Sequence, residues 1–239
     1  MLIVNNLTKK YHKTIANDDL TFDVPEGQVS ILLGPNGAGK STAIKAIAGL
    51  LRFSGKITIN GHDNKSIEAK RYLGYIPESP SVYELLTVEE HLQFIAKAYS
   101  LKSGWEQYAN ELLSRFELDD KRTKFGKELS KGMHQKVSIC CALLPRPKLL
   151  LVDEPMVGLD PRAIKELKNI FIEERESGTA LLISTHLLSS VEDLWDQALI
   201  LVDGKFAARR TRADVDASGE SLEHLFFSIT EGKGGAMDQ

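Results

Sequence analysis

The chain has 239 residues, 42% hydrophobic and 26% charged, the balance of an ordinary soluble globular protein with enough apolar material for a sheet covered by helices on both faces. A formal net charge of −3 argues against a nucleic-acid partner. Two adjacent cysteines, Cys140 and Cys141, are too few to staple a fold and read as small apolar residues of a helix in a reducing compartment. No apolar run approaches a membrane span, the longest being about six residues, as at 139–144, and no charged-then-apolar leader is visible, so the expected location is the cytosol.

In chain order, residues 2–7, 20–24 and 56–60 read as short β segments, the last closed by Asn60-Gly61. Between the second and third, the apolar run 29–33 leads into Gly34-Pro35-Asn36-Gly37-Ala38-Gly39-Lys40-Ser41-Thr42. This is a phosphate-binding loop in full, set between a strand and a helix. Glycines let the backbone approach an anion without a Cβ clash, successive N–H groups turn inward, and the helix start adds its positive end. Lys40 supplies a point charge for the outer phosphates, and the Ser41 hydroxyl suits Mg²⁺. A turn that merely opens a helix does not require Lys and Ser directly after its last glycine. The helix that follows carries Ala43, Ile44, Ile47, Ala48 and Leu51 on one face, with Gly49 near its end.

A strand near 72–76 is broken by Pro77, and from there to about residue 144 the pattern is helical. Thr87-Val88-Glu89-Glu90 is a capping-box signature opening a helix with Leu92, Phe94, Ile95 and Ala98. A second amphipathic segment holds Trp105, Leu112, Leu113 and Phe116. The continuous apolar runs 149–152, 181–184 and 199–202 read as strands buried on both faces of a parallel sheet. The helix between the first two starts at Asp160 as N-cap with Pro161 in its first turn, and carries Ile164, Leu167, Ile170 and Phe171. The tail from about residue 206 reads as less regular, with Leu222, Leu225 and Phe226 docking one short helix and 232–239 a frayed end.

Two strand ends carry further chemistry. The run 149–152 ends in Asp153-Glu154, and charges at the end of a buried strand are costly unless a cation or water meets them. Asp153 suits Mg²⁺ held through its hydration shell, and Glu154 suits a general base that polarises an attacking water. The structural alternative is a pair of exposed acids opening a loop; the phosphate loop upstream favours the catalytic reading. His186 follows the strand 181–184 on the side where phosphate would lie, placed to donate to the terminal phosphate and to orient Glu154 or water.

In order and spacing these segments resemble the nucleotide-binding subunit of ATP-binding-cassette (ABC) transporters, over nearly all of residues 1–205. Leu129-Ser130-Lys131-Gly132-Met133 resembles the family signature, usually Leu-Ser-Gly-Gly-Gln, with Lys131 and Met133 as departures. Gly158-Leu159-Asp160-Pro161 resembles the loop that crosses the dimer seam, although Asp160 is equally read as a helix cap. Tyr75-Ile76-Pro77-Glu78 lies where the family often has glutamine; a carboxylate there still reaches waters on Mg²⁺, and the plain alternative is a loop acid. The adjacent Val82, Tyr83, Leu85 and Leu86 suit a membrane partner or core packing.

The resemblance implies an α/β fold: a P-loop NTPase core with a mainly parallel sheet, an N-terminal antiparallel β subdomain and an inserted all-helical subdomain. It implies one domain over 1–239, with 1–77 and 145–205 as core and β subdomain, 78–144 as helical insert and 206–239 as tail. It implies ATP and Mg²⁺ as cofactors. Asn36, Gly37, Ala38, Gly39, Lys40, Ser41 and Thr42 would hold the nucleotide's phosphates, and Tyr11 would stack on its base. Ser41, Asp153 and Glu78 would hold the metal, Glu154 and His186 would be catalytic, and Ser130 and Gly132 would touch ATP bound to the other subunit. Implied partners are a second cassette, identical or paralogous, and an integral membrane permease that keeps the chain at the inner face of the membrane. Within the family the likeness is to bacterial ABC-2-type exporter ATPases. The alternative is a soluble cassette ATPase without a transport role, such as one serving iron–sulfur cluster assembly.

Overall fold

The structure is a computed structural model that describes residues 1–186, 188, 191–219 and 221–231; the expected frayed end at 232–239 lies outside them. The elements begin with β1 (Leu2–Tyr11), β2 (Thr14–Val24), β3 (Val29–Leu33), α1 (Lys40–Ile47), β4 (Ser54–Ile59), β5 (His62–Asp63), α2 (Ile67–Arg71) and β6 (Leu73–Ile76). The helices α3 (Val88–Ala98), α4 (Trp105–Arg115) and α5 (Lys131–Leu143) follow. The chain continues with β7 (Leu149–Asp153), α6 (Pro161–Glu176), β8 (Ala180–Thr185), β9 (Gln197–Val202), β10 (Lys205–Thr211), α7 (Arg212–Ser218) and α8 (Leu222–Glu231).

Two sheets divide the strands. An antiparallel sheet has the order β2-β1-β4-β5, and a second has the order β10-β9-β3-β8-β7-β6. In the second sheet β9, β3, β8, β7 and β6 run parallel, and β10 pairs antiparallel with β9. Alternation along each central strand explains the continuous apolar runs. Leu32, Leu149, Leu151, Leu182 and Leu199 pack on α1 and on the antiparallel sheet, against Ala43, Ile44, Val4, Phe22 and Ile57. Ile31, Leu150, Val152, Ile183 and Ile200 face the other way, onto Leu167 and Phe171 of α6 and onto Leu92, Leu112, Phe116 and Val137 of the helical region. The strands need apolar residues at every position because both faces are covered.

The capping box at α3 is formed in both halves: Thr87 Oγ1 accepts from the Glu90 N–H at 3.2 Å, and Glu90 Oε2 accepts from the Thr87 N–H at 2.8 Å. Arg115 of α4 ties this helical region to α6, donating to both carboxylate oxygens of Glu173 (2.6 and 2.8 Å) and to Glu166. His91 is buried in α3; its Nδ1 faces Thr87 O at 2.7 Å and its Nε2 accepts from the Tyr83 N–H at 2.9 Å, which pins the preceding loop.

Several local expectations change. The first helix stops at Ile47, because Gly49 turns into positive φ (74°) and Asn64 donates to the final carbonyls of Ala46 and Ile47 at 2.9 and 3.0 Å. Leu51 lies beyond the helix yet still packs on the same core. Tyr72 is the C-cap of the short helix α2 rather than a strand residue. Strand β2 starts at Thr14, well before residue 20, and its pairing with β1 is interrupted by register shifts that hide its alternation. The tail from 206 is regular rather than loose: β10 closes one edge of the main sheet, α7 opens on a capping box of Thr211 and Asp214, and α8 buries Leu222, Leu225 and Phe226.

Candidate functional site

Strand β3 delivers the chain to Gly34, and the loop closes on Gly39 immediately before α1. Gly39 has φ 102°, and a Cβ there would stand 2.2 Å from Ala16 O, so β2 lies against the loop too closely for any side chain. Asn17, buried beside it, donates from Nδ2 to Gly39 O at 3.0 Å. Helix α1 has no side-chain cap at its start, which leaves its first N–H groups facing the loop.

Lys40 is folded inward, only 6% exposed. Its ammonium donates to Gly34 O (2.8 Å) and Pro35 O (3.2 Å) and stands 3.6 Å from Glu154 Oε1. A buried cation is tolerable with these partners, and it is poised for an anion entering the loop. The Ser41 hydroxyl donates to Asp153 Oδ1 at 2.9 Å, which joins the start of α1 to the end of β7. Ser184 of β8 donates to the same oxygen at 2.6 Å. Asp153 Oδ2 is buried and meets no donor among the described residues.

Glu154 follows with φ 46°, a conformation uncommon for a non-glycine residue, and its N–H is held by Ser184 O (3.2 Å) and Ser184 Oγ (3.3 Å). His186 Nδ1 lies 2.9 Å from Glu154 Oε1. Since a carboxylate only accepts, Nδ1 carries the proton in this contact. The result is a chain from Lys40 through Glu154 to His186 at the carboxyl ends of parallel strands, where open α/β sheets bind ligands.

Lys40, Ser41 and Glu154 of this network open on a cleft of about 290 Å³, lined also by Asn36, Gly37, Gly39, Thr42, Ala16 and Glu78. Among the described residues no three His, Cys, Asp or Glu side chains gather into a cage for a metal. The Ser41 hydroxyl, the Asp153 carboxylate with its bare oxygen and the exposed Glu78 are oxygen donors of the kind that suits a cation keeping several waters in its shell, such as Mg²⁺.

Of the expected site residues, Ala38 is buried in the core beneath the loop and does not line this cleft, and three others stand apart from it. Tyr11 ends β1, 43% exposed, with the Lys9 ammonium 4.6 Å over its ring; the cleft reaches the antiparallel sheet at Ala16 instead. Ser130 opens α5, and its Oγ accepts from the Met133 N–H at 3.3 Å as an N-cap. Gly132 sits so near the loop after β7 that a Cβ would be 2.8 Å from Gly158 O. Neither Ser130 nor Gly132 lines its own chain's cleft. Asp160 is the N-cap of α6, accepting from the Ala163 N–H at 2.9 Å, and it also pairs with Lys136 at 2.9 Å. Lys136 and that N–H hold its carboxyl below the ordinary range. Sequence reasoning missed Asn17 and Ser184. Ser184 had a signal, a polar residue closing an apolar run; Asn17 had none.

The ABC transporter family profile matches residues 17–157. The ABC-type transporter ATP-binding protein EcsA of Bacillus subtilis is 37% identical over 241 residues, covering 97% of each chain. The lantibiotic transport ATP-binding protein SrtF of Streptococcus pyogenes is 34% identical, covering 95% of this chain and 96% of its own. The linearmycin resistance ATP-binding protein LnrL of B. subtilis is also 34% identical, over 95% of this chain and 75% of its own. Among solved structures, the ATP-binding subunit of an ABC transporter superposes with a TM-score of 0.91 at 40% identity, covering 96% of this chain and 99% of that one. The ATP-binding cassette MJ0796, in a dimeric post-hydrolysis state bound to ADP and Pi, superposes with a TM-score of 0.76 at 26% identity over 88% of this chain and 98% of its own.

Proposed function

Since the chain belongs to the ABC transporter family and is an ATP-binding, ATP-hydrolysing subunit of a transporter, we propose that two such cassettes close head to tail over two ATP molecules and drive export through a separate membrane permease. The observation that carries this reading is the cluster of Lys40, Ser41, Asp153, Glu154 and His186 at one cleft. In it the loop N–H groups and Lys40 bind the β- and γ-phosphates. Ser41 and Asp153, with Glu78, would hold Mg²⁺, which when bound would neutralise charge on the phosphate oxygens. Glu154 draws a proton from the attacking water, and His186 fixes the orientation of that carboxylate.

Ser130 and Gly132 then act on the nucleotide of the second subunit, which fits their position outside their own cleft. Each γ-phosphate thereby bridges two chains, and its loss reopens them. The dimeric cassette with ADP and Pi is a precedent for that geometry in a relative. Export is supported by relatives named for lantibiotic transport and linearmycin resistance. Among the described residues no helix is long and apolar enough to cross a membrane.

The test is Glu154→Gln. It keeps the shape of the side chain and removes the base, so ATP binding should persist while turnover falls by about 100-fold or more. The variant should accumulate as an ATP-dependent dimer on size-exclusion chromatography. Hydrolysis at the wild-type rate would remove Glu154 from this role.

A further inference from the structure

One buried polar group beside the cleft is left unused by the reaction outlined above. The Tyr75 hydroxyl is shut away from solvent and has no hydrogen-bond partner among the described residues, although its ring is only half-buried. Buried hydroxyls are rarely left unpaired, so this one calls for an explanation.

Its place in the sheet supplies one. Tyr75 lies on β6 opposite Leu151 of β7 and packs on the core that contains Leu151, Leu149 and α1. Asp153 is two residues beyond Leu151 on the same strand, and side chains two apart share a face. Tyr75 and Asp153 therefore project from adjacent strands toward α1, and Ser41 of α1 already binds Asp153 from that side. Glu78, three residues after Tyr75, lines the cleft. Burial pushes the Tyr75 phenol above its ordinary range, with the Asp153 and Glu78 carboxylates adding to the shift, so it remains a donor across the working range of pH. Asp153 Oδ2 is the complementary orphan, a buried acceptor without a donor. An unsatisfied donor and an unsatisfied acceptor on one face of neighbouring strands complement each other through water.

We propose that Tyr75 is a positioning residue for the metal, donating its hydroxyl hydrogen to a water in the hydration shell of Mg²⁺ held at Ser41 and Asp153. The inference rests on the Mg²⁺–nucleotide reading above and adds to it a group from β6. Mg²⁺ keeps several of its waters, and a fixed donor orients them without taking a coordination position. The phenol thus links the strand that leads into the Glu78 loop with the acid that holds the cation.

Tyr75→Phe removes one oxygen atom and tests the idea. Mn²⁺ serves as the probe, followed by electron paramagnetic resonance in full-length protein loaded with ADP, together with ADP affinity in EDTA and thermal melting without metal. We expect Mn²⁺ to bind about three- to tenfold more weakly in the variant, the effect of one lost hydrogen bond. ADP affinity in EDTA should be unchanged, and the metal-free variant should melt at the same temperature or higher, because the deleted hydroxyl had no partner to lose. Wild-type Mn²⁺ affinity in the variant would overturn the inference while leaving the nucleotide reading intact. A lower metal-free melting temperature would also overturn it, by revealing a structural bond. Wild-type protein that takes up neither ADP nor Mn²⁺ would defeat both.

Discussion

Ser184 shows how one buried hydroxyl organises two charged residues. It donates to Asp153 Oδ1 at 2.6 Å and accepts the Glu154 N–H at 3.3 Å, so the acid proposed for the metal and the acid proposed for water share one anchor. Ser184→Ala leaves Asp153 with Ser41 as its remaining donor and weakens the hold on a residue in the left-handed region of backbone space. The expected cost is about 1–3 kcal/mol in urea unfolding, with a larger loss in Mg²⁺-dependent turnover than in nucleotide binding. Equal losses in both would mean that Ser184 supports the fold and not the site. At this scale the sequence was readable where chemistry is local: Lys40 and Ser41 follow the last glycine of the loop, and Asp153 and Glu154 end a strand. The partners of those residues were not readable. Asn17 reaches Gly39 from another sheet, and nothing in its neighbourhood of the sequence announces that contact.

Among the elements, α3 and β10 are opposite cases. The start of α3 is written in four consecutive residues, and both capping-box bonds form as the pattern dictates. Strand β10 has no such signature; most of its residues are exposed and two are adjacent arginines, Arg209 and Arg210. It is a strand because β9 offers it an edge, and strand formation of that kind depends on the neighbour rather than on local propensity. The loop before α3 depends on His91 in the same non-local way. Desolvation on burial lowers the His91 pKa below its ordinary 6.5, and a proton on Nε2 would also abolish the bond it accepts from the Tyr83 N–H. The folded protein then binds fewer protons than the unfolded chain between the folded value and 6.5, so stability is full above 6.5 and declines as pH falls below it. The melting temperature should drop on acidification from about pH 7.5 to about pH 5.5, and His91→Gln should flatten that dependence. A variant with the wild-type pH profile would show that another group carries the acid sensitivity.

On the scale of the whole molecule, the proposed nucleotide cleft and the exposed apolar surface belong to different parts of the fold. The cleft lies at the strand ends of the parallel sheet, while the helical region of α3 to α5 is packed on the opposite face of that sheet. That region leaves an apolar group uncovered: Leu85 is 74% and Tyr83 57% exposed, with the Phe94 ring edge-on to Tyr83 at 5.6 Å and exposed Phe125 paired by its backbone with Thr87. Adjacent exposed apolar side chains of this kind mark association sites. Tyr83 and Leu85 stand only a few residues after Glu78, so a permease seated there would be linked by one short loop to the cleft. Leu85→Asp should abolish co-purification with the permease from detergent extract and leave the basal ATPase rate of the isolated subunit within about twofold, as expected for a solvent-facing change remote from the cleft. Undiminished co-purification would assign the docking surface elsewhere.

The phosphate loop, the acids ending β7, the capped start of α6 and the alternation of buried strands with helices were determined by the sequence alone, because each is carried by neighbouring residues or by a short period along the chain. The tertiary structure decided the rest. Ser41 and Asp153 are 112 positions apart and touch only because α1 is laid across the sheet that ends in Asp153. The bare oxygen of Asp153, the orphaned Tyr75 hydroxyl and the exclusion of Ser130 from its own cleft likewise exist only once strands from distant parts of the chain are set side by side. Spacing along a chain reports which groups are available; desolvation and contact distance, which determine what those groups can do, are properties of the packed whole.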